Sequence, residues 1–411
     1  MQKNNTQKNH NIPYVLTTLT AVSIAVLMAL TSTSMSHAFN KGKPIDGQMQ
    51  IDGQPLRNKQ RLGEMLFFDT RLSKNQTMSC ATCHNPDLAF TDGRQTAAKG
   101  MVSLGDDGHS FGNRNTPTAS YAHLSPNFYF DDINQAYVGG QFWDGRADNL
   151  TVQAGQPPLN PVEMGTDKST IIQRLKQDAH YLHAFANIYG KDIWQDTDKA
   201  YHAMTDAIAS FETTPLFSPF DSKYDRYLQG EYELTPLEDL GRTLFFSNDN
   251  VNCHRCHKLP QSKEDDQYKT FTNYQYHNIG VPSNKQMLAL TQVATDFVDL
   301  GLMNHPKLTH DANQKGKFKT PTLRNVAVTA PYMHNGVFKD LKTVVLFYDK
   351  YNNPDNRINP ETNKPWNDAE VTQNISLEEL KAQKLTDRKV EALVAFMETL
   401  TDKRYEHLLK K

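Results

Sequence analysis

The sequence predicts a mostly α-helical chain made of two related helical halves, with long loops and little β-structure. Three observations carry that expectation. All four cysteines fall in two copies of one pattern, Cys80-Ala-Thr-Cys83-His84 and Cys253-His-Arg-Cys256-His257. Each copy is preceded by a related segment, Gly63-Glu-Met-Leu66-Phe67-Phe68 and Gly241-Arg-Thr-Leu244-Phe245-Phe246, which marks a duplication. A further echo joins Arg114-Asn115-Thr116-Pro117-Thr118 to Thr320-Pro321-Thr322-Leu323-Arg324-Asn325.

The cysteine pattern has a chemical reading. Two thiols three positions apart can each add to a vinyl group of one porphyrin, and the following histidine then reaches the iron from one face. Cys80, Cys83 and His84 would hold one c-type haem, and Cys253, Cys256 and His257 a second. A disulfide, a thioredoxin-like pair or a zinc site built from two Cys-x-x-Cys hooks are the alternatives. None of them needs a histidine after each hook, so its double occurrence with no spare cysteine favours haem.

The elements follow in order. Lys3 and Lys8, an apolar run from about Val15 to Leu30, and Ser36-His37-Ala38 read as a secretory signal cut after Ala38. Four hydroxyl residues interrupt the run, which is shorter than the roughly 20 residues of a usual span; an uncleaved anchor is the alternative. Cleavage leaves 373 of 411 residues, more than a single core commonly serves. Residues 57–68 and 236–246 read as helices with their apolar side toward a haem. The stretches 91–115 and 280–319 are rich in Gly, Asp, Asn and Lys and read as loops that form distal pockets. Residues 203–211 close the first half. Two prolines in Thr213-Thr-Pro-Leu-Phe-Ser-Pro-Phe220 set a boundary there, giving cytochrome-c-like domains at 39–220 and 221–411. Thr386 caps a last helix with Val390, Leu393, Val394 and Met397 on one side, packed across the second domain.

A net charge of -2 without long runs of one sign argues against nucleic acid, and against an anionic membrane surface, as the main partner. Hydrophobic content is a modest 38%, and two buried porphyrins would supply further apolar volume.

Arg114-Asn115-x-Pro117-Thr118, Gln141-Phe142-Trp143-Asp144-Gly145-Arg146, Pro161-Val162-Glu163-Met164 and Ala330-Pro331-Tyr332-Met333-His334-Asn335-Gly336 occur in that order. With the two haem motifs, they make nearly all of the mature chain resemble the bacterial di-haem cytochrome c peroxidase superfamily, its MauG branch more than the peroxidases proper. The resemblance implies a periplasmic enzyme that uses hydrogen peroxide as oxidant at the N-terminal haem and relays electrons through the C-terminal one. It matches Trp143 to the tryptophan between the haems, Gln153 to the distal-pocket glutamine and Glu163 to the acid-base carboxylate. A carboxylate in a dry pocket can move a proton between the oxygens of peroxide; an amide can orient the peroxide but cannot supply the proton. Outside the resemblance, a lone Glu is usually solvated and a Trp in an apolar run is usually core.

The same resemblance places Tyr348 where peroxidases carry a methionine ligand to the second iron, which is the MauG pattern and implies a low potential. Met303 and Met333 are rival ligands, and a structural tyrosine is the other alternative. His109 occupies the loop that carries a displaceable histidine ligand in peroxidases, though in a glycine-rich loop it can equally face solvent. Asn115, with the carbonyls of Thr329 and Pro331, matches an inter-domain calcium site; oxygen-only ligation suits calcium, and a turn role for Asn115 is the alternative. One departure stands out. MauG passes holes to a protein substrate through a surface tryptophan two residues before the second motif, where this chain has Val251; Trp194 or surface tyrosines are the substitutes the sequence offers. Three functions follow as expectations. One is a peroxidase fed by a small cytochrome or cupredoxin. Another is a MauG-like oxidant of protein side chains that matures a tryptophan-derived quinone. The third is a plain di-haem electron carrier.

Overall fold

The computed structural model describes residues 58–248, 250–259, 270–291, 293–294 and 296–409, with the backbone of 50–51 and 54–55. The signal segment and the apolar run from Val15 to Leu30 lie outside these residues. Twelve helices carry the described chain: α1 Asn58–Phe67, α2 Cys80–Cys83, α3 Leu150–Ala154, α4 Lys168–Lys176, α5 Ala179–Tyr189, α6 Thr197–Glu212, α7 Lys223–Leu228, α8 Pro236–Phe245, α9 Lys285–Leu290, α10 Leu341–Asp349, α11 Leu377–Leu380 and α12 Asp387–Glu398. The β-structure described is four antiparallel pairs of strands two or three residues long. Among the described residues no helix is long and apolar enough to cross a membrane.

The helix starts are written in the sequence. Thr235 and Glu238 form a reciprocal capping box ahead of α8, with Pro236 in its first turn. Thr386 accepts from the Lys389 N–H and caps α12, as its position predicts. The segment expected at 203–211 belongs to a longer helix, α6, whose start Asp196 caps through the N–H groups of Asp198 and Lys199. The loop expected at 280–319 carries a helix of its own, α9, because Asn284 caps it and Met287 buries against Ala98 and Val102.

Two apolar cores organise the molecule. Residues from Leu62 to Phe217 form the first, and residues from Tyr224 to Leu400 form the second. Each centres on a crossed helix pair, α1 on α6 and α8 on α12. A Cβ on Gly63 would stand 1.9 Å from the Ala207 carbonyl oxygen, and one on Gly241 would stand 1.9 Å from that of Ala392. Both crossings therefore need glycine so that two backbones can touch. The apolar side of α1 and α8, expected to face a haem, is divided: Phe67 and Phe245 reach the cavities beside the two cysteine motifs, while Leu62, Leu66 and Leu244 pack into the cores.

An aromatic rosette fills the space beside each crossing: Phe67, Phe90, Phe211 and Phe217 in the first core, and Phe245, Phe271, Phe396 and Tyr224 in the second. Between the cores, Arg324 is fully buried. Its guanidinium pairs with both carboxylate oxygens of Asp225 and lies against the rings of Tyr121, Phe220 and Phe271. Tyr121 in turn donates to Asp402 at 2.5 Å.

Candidate active site and its two cavities

Each cysteine–histidine motif opens on a cavity. The first, about 370 Å³, is lined by Cys80, Cys83 and His84, and the second, about 210 Å³, by Cys253, Cys256 and His257. His84 Nδ1 lies 3.1 Å from the carbonyl oxygen of Phe90, and His257 Nδ1 lies 3.0 Å from that of Phe271. Donation from Nδ1 fixes the tautomer and leaves Nε2 as the bare ligand nitrogen. Phe90 and Phe271 both hold positive φ, at 54° and 56°. For a bulky residue that backbone is uncommon and costs energy. The strain recurs at both anchors, where the chain must turn its carbonyl to the histidine. Burial also lowers both histidines, His257 to about 4, so each is held neutral, as a metal ligand must be. Thiols, imidazole and apolar walls in this arrangement fit a covalently attached haem in each cavity.

The residues singled out in the sequence distribute between the two. Glu163 and Gln153 line the first cavity, Tyr348 lines the second, and Trp143 lines both. The Trp143 indole donates to the Asn115 carbonyl at 2.9 Å, and its own carbonyl accepts from the Lys319 N–H at 2.9 Å, so it is pinned from either side. Glu163 is held by a short turn: its N–H donates to the Asn160 carbonyl and its carbonyl accepts from the Asp106 N–H. Burial raises the Glu163 carboxyl above the usual range, opposed by the charge of Arg146 and a hydrogen bond with Asn160. Burial likewise raises Tyr348. Met333 reaches the second cavity, whereas Met303 lines none of the three cavities described.

His109 is not at the site. Its side chain is 73% exposed and folds onto Asp107, whose carbonyl lies 2.8 Å from Nδ1. Asn115, Thr329 and Pro331 meet around a third cavity of about 160 Å³ that Trp143 also lines. The Asn115 amide nitrogen donates to the carbonyls of Gly100 and Met101. Val251, at the position of the absent tryptophan, lines the second cavity.

Several wall residues had no role in the sequence reading. Arg146 stands in a quoted motif; it lies 3.6 Å from the Phe142 ring centre and bonds Asp144 and Gln156. Arg114 binds Asp144 and both oxygens of Asp299, tying the first cavity to a segment near residue 300. Asn304 reaches the first cavity from that segment, and no local signal announces it. Glu212, at the end of α6, is buried in the same wall, and burial alone pushes its carboxyl to about 8.

Residues 57–233 match the family described as di-haem cytochrome c peroxidase. The chain is 51% identical to the methylamine utilization protein MauG of Paracoccus denitrificans over 85% of this chain and 90% of that one. It is 33% identical to the cytochrome c peroxidase Ccp of Escherichia coli over 79% of this chain and 59% of that one. Among solved structures, the diheme peroxidase BthA of Burkholderia thailandensis superposes with a TM-score of 0.76 at 29% identity, covering 87% of this chain and 89% of the other. With both motifs intact and both cavities built around them, the chain belongs to the di-haem cytochrome c peroxidase and MauG family, as an oxidoreductase acting on peroxide with two haems.

Proposed function

We propose that the first cavity reduces hydrogen peroxide to water, and that the electrons are drawn one at a time from a protein outside through the second cavity and Trp143. The observation that carries this reading is the position of Trp143, in the wall of both cavities, with Glu163 and Gln153 on one side and Tyr348 on the other. When bound, the haems supply an iron that takes up peroxide in the first cavity and a second redox-active iron as relay.

The chain's own residues do the rest. Glu163 holds and returns the proton that must pass between the peroxide oxygens; burial keeps its acid form available to a higher pH than usual. Gln153 orients the bound oxidant through its amide. Tyr348 would hold the second haem together with His257, as a hard anionic donor that favours the oxidised metal. That ligand type, with the 51% identity to a MauG protein, favours oxidation of protein side chains in maturing a tryptophan-derived quinone over supply from a small cytochrome or cupredoxin. In this reading residues 39–220 and 221–411 are two cytochrome-c-like domains exported to the periplasm after cleavage at Ala38. Asn115, with the carbonyls of Thr329 and Pro331, holds one calcium ion; metal analysis is expected to return one per chain, and its absence after mild dialysis would remove this part.

Electron paramagnetic resonance of the ferric protein before and after one equivalent of peroxide tests the main reading. One high-spin and one low-spin signal are expected at rest, both changed by peroxide. Two low-spin signals indifferent to peroxide would make the chain a plain electron carrier.

A further inference from the structure

The second cavity has an aromatic way out that does not pass through Val251. Tyr348 lies in its wall, on α10. Directly behind is Phe347, fully buried, with ring centres 6.1 Å apart. On the far side of Phe347 stands Trp366, 5.8 Å away, where the chain leaves the short strand pair Ile358–Asn359 and Lys364–Pro365. Trp366 is half-buried, and Pro365 before it and Asn367 after it are both exposed, so the ladder ends at the surface.

The ladder has a preferred terminus. Tyr351 also touches Phe347, at 6.3 Å, but its hydroxyl donates to the Ile279 carbonyl. A phenol gives up an electron readily only if its proton can leave, and a carbonyl cannot take that proton. The Lys350 ammonium lies 4.2 Å from the Phe347 ring centre and 4.9 Å from that of Tyr351, which disfavours a resident positive charge on either ring, so Phe347 serves only as a bridge between Tyr348 and Trp366 and Tyr351 is not the terminus. An indole can be oxidised without losing its proton, and Trp366 keeps its N–H on the Asn356 carbonyl at 3.1 Å. Of the three tryptophans, Trp143 is between the cavities and Trp194 packs on Phe185 in the first core, which leaves Trp366 beside the second.

We infer that Trp366 is the surface relay through which the second cavity, by way of Tyr348 and Phe347, takes electrons from the outside protein. This rests on the peroxide chemistry proposed above. Hydrogen peroxide with two protons and two electrons leaves as two waters. Each electron comes from Trp366, whose indole cation is refilled by the partner. Without a partner Trp366 loses both electrons and gains the oxygen of a water with release of two protons, so the net change is indole plus peroxide to hydroxyindole plus water.

The test uses the intact di-haem protein treated with a few equivalents of peroxide and no reductant, followed by peptide mass mapping and optical spectra. One added oxygen is expected on Trp366, several-fold above Trp194. In Trp366→Phe the initial spectral change should form at the parent rate and then persist about tenfold longer. Phe347→Leu, which keeps the indole but opens the ladder, should show the same persistence with Trp366 unmodified. Oxygen placed on Trp194 or on tyrosines with Trp366 untouched, or parental decay in both variants, would overturn the relay while leaving the peroxide reading intact. No spectral response to peroxide in the parent would overturn both.

Discussion

The two halves are alike where they attach a cofactor and unlike where they face it. Gly63 and Gly241 allow the same helix crossing, Phe90 and Phe271 share the same strained backbone, and both turn a carbonyl onto a proximal histidine. The opposite walls have diverged. Glu163, Gln153, Arg146 and Asn304 give the first cavity an acid, an amide, a cation and a second amide. The second cavity offers Tyr348, Met333 and Lys319, with Glu379 and His277 in place of the Glu163 and Gln153 pair, on a lining that is otherwise mostly apolar. Duplication fixed the frame, and function followed from a handful of side chains.

That contrast can be broken in four places. The largest effect is expected from Glu163→Gln, which should slow the reaction with peroxide about 10²–10⁴-fold in stopped-flow spectra. The second haem's resting signal should stay unchanged, and a rate equal to the parent would remove Glu163 from the chemistry. Tyr348→Phe should do the reverse, moving the second haem's spectrum and raising its potential on the order of 0.1 V while the first keeps its spectrum. An unaltered spectrum would transfer the ligand role to Met333.

The shared frame should respond equally in both halves. Gly63→Ala and Gly241→Ala each force a methyl against a backbone carbonyl and should each cost about 1–3 kcal/mol in thermal unfolding. A loss confined to one would show that the crossings are not equivalent. The effect read from pH alone belongs to Glu212. Its carboxyl titrates near 8 when folded, against an ordinary 4.5, so the folded state keeps a proton that the unfolded chain has released. That stability is full below about pH 4.5 and is lost as pH rises toward 8. Glu212→Gln should therefore flatten the fall in melting temperature between pH 5 and 8, by on the order of a few kcal/mol at the upper end. An unchanged slope would show that Glu212 is ionised throughout.

Much of this frame was legible in the residues because covalent chemistry demands fixed spacing. The cysteine–histidine motifs, Gly63 and Gly241, and the Thr386 cap each announce themselves within a few positions. The cavity walls were less legible. Glu163, Gln153 and Tyr348 were reached through motif order rather than local pattern. Asn304 comes from a segment whose contact with the first cavity depends on Arg114 clasping Asp299. Glu212, one position past the helix expected at 203–211, carries no sign of its burial, since a periodic pattern does not tell which neighbour will exclude water. His109, in a promising loop, turns outward because Asp107 offers it partners nearer at hand.

Arg324 carries one more consequence. A guanidinium sealed from water, paired with Asp225 and roofed by Tyr121 and Phe271, cannot lose that partner without stranding its charge. Phe271 belongs both to this packing and to the His257 anchor, so a change at Arg324 should reach the second cavity.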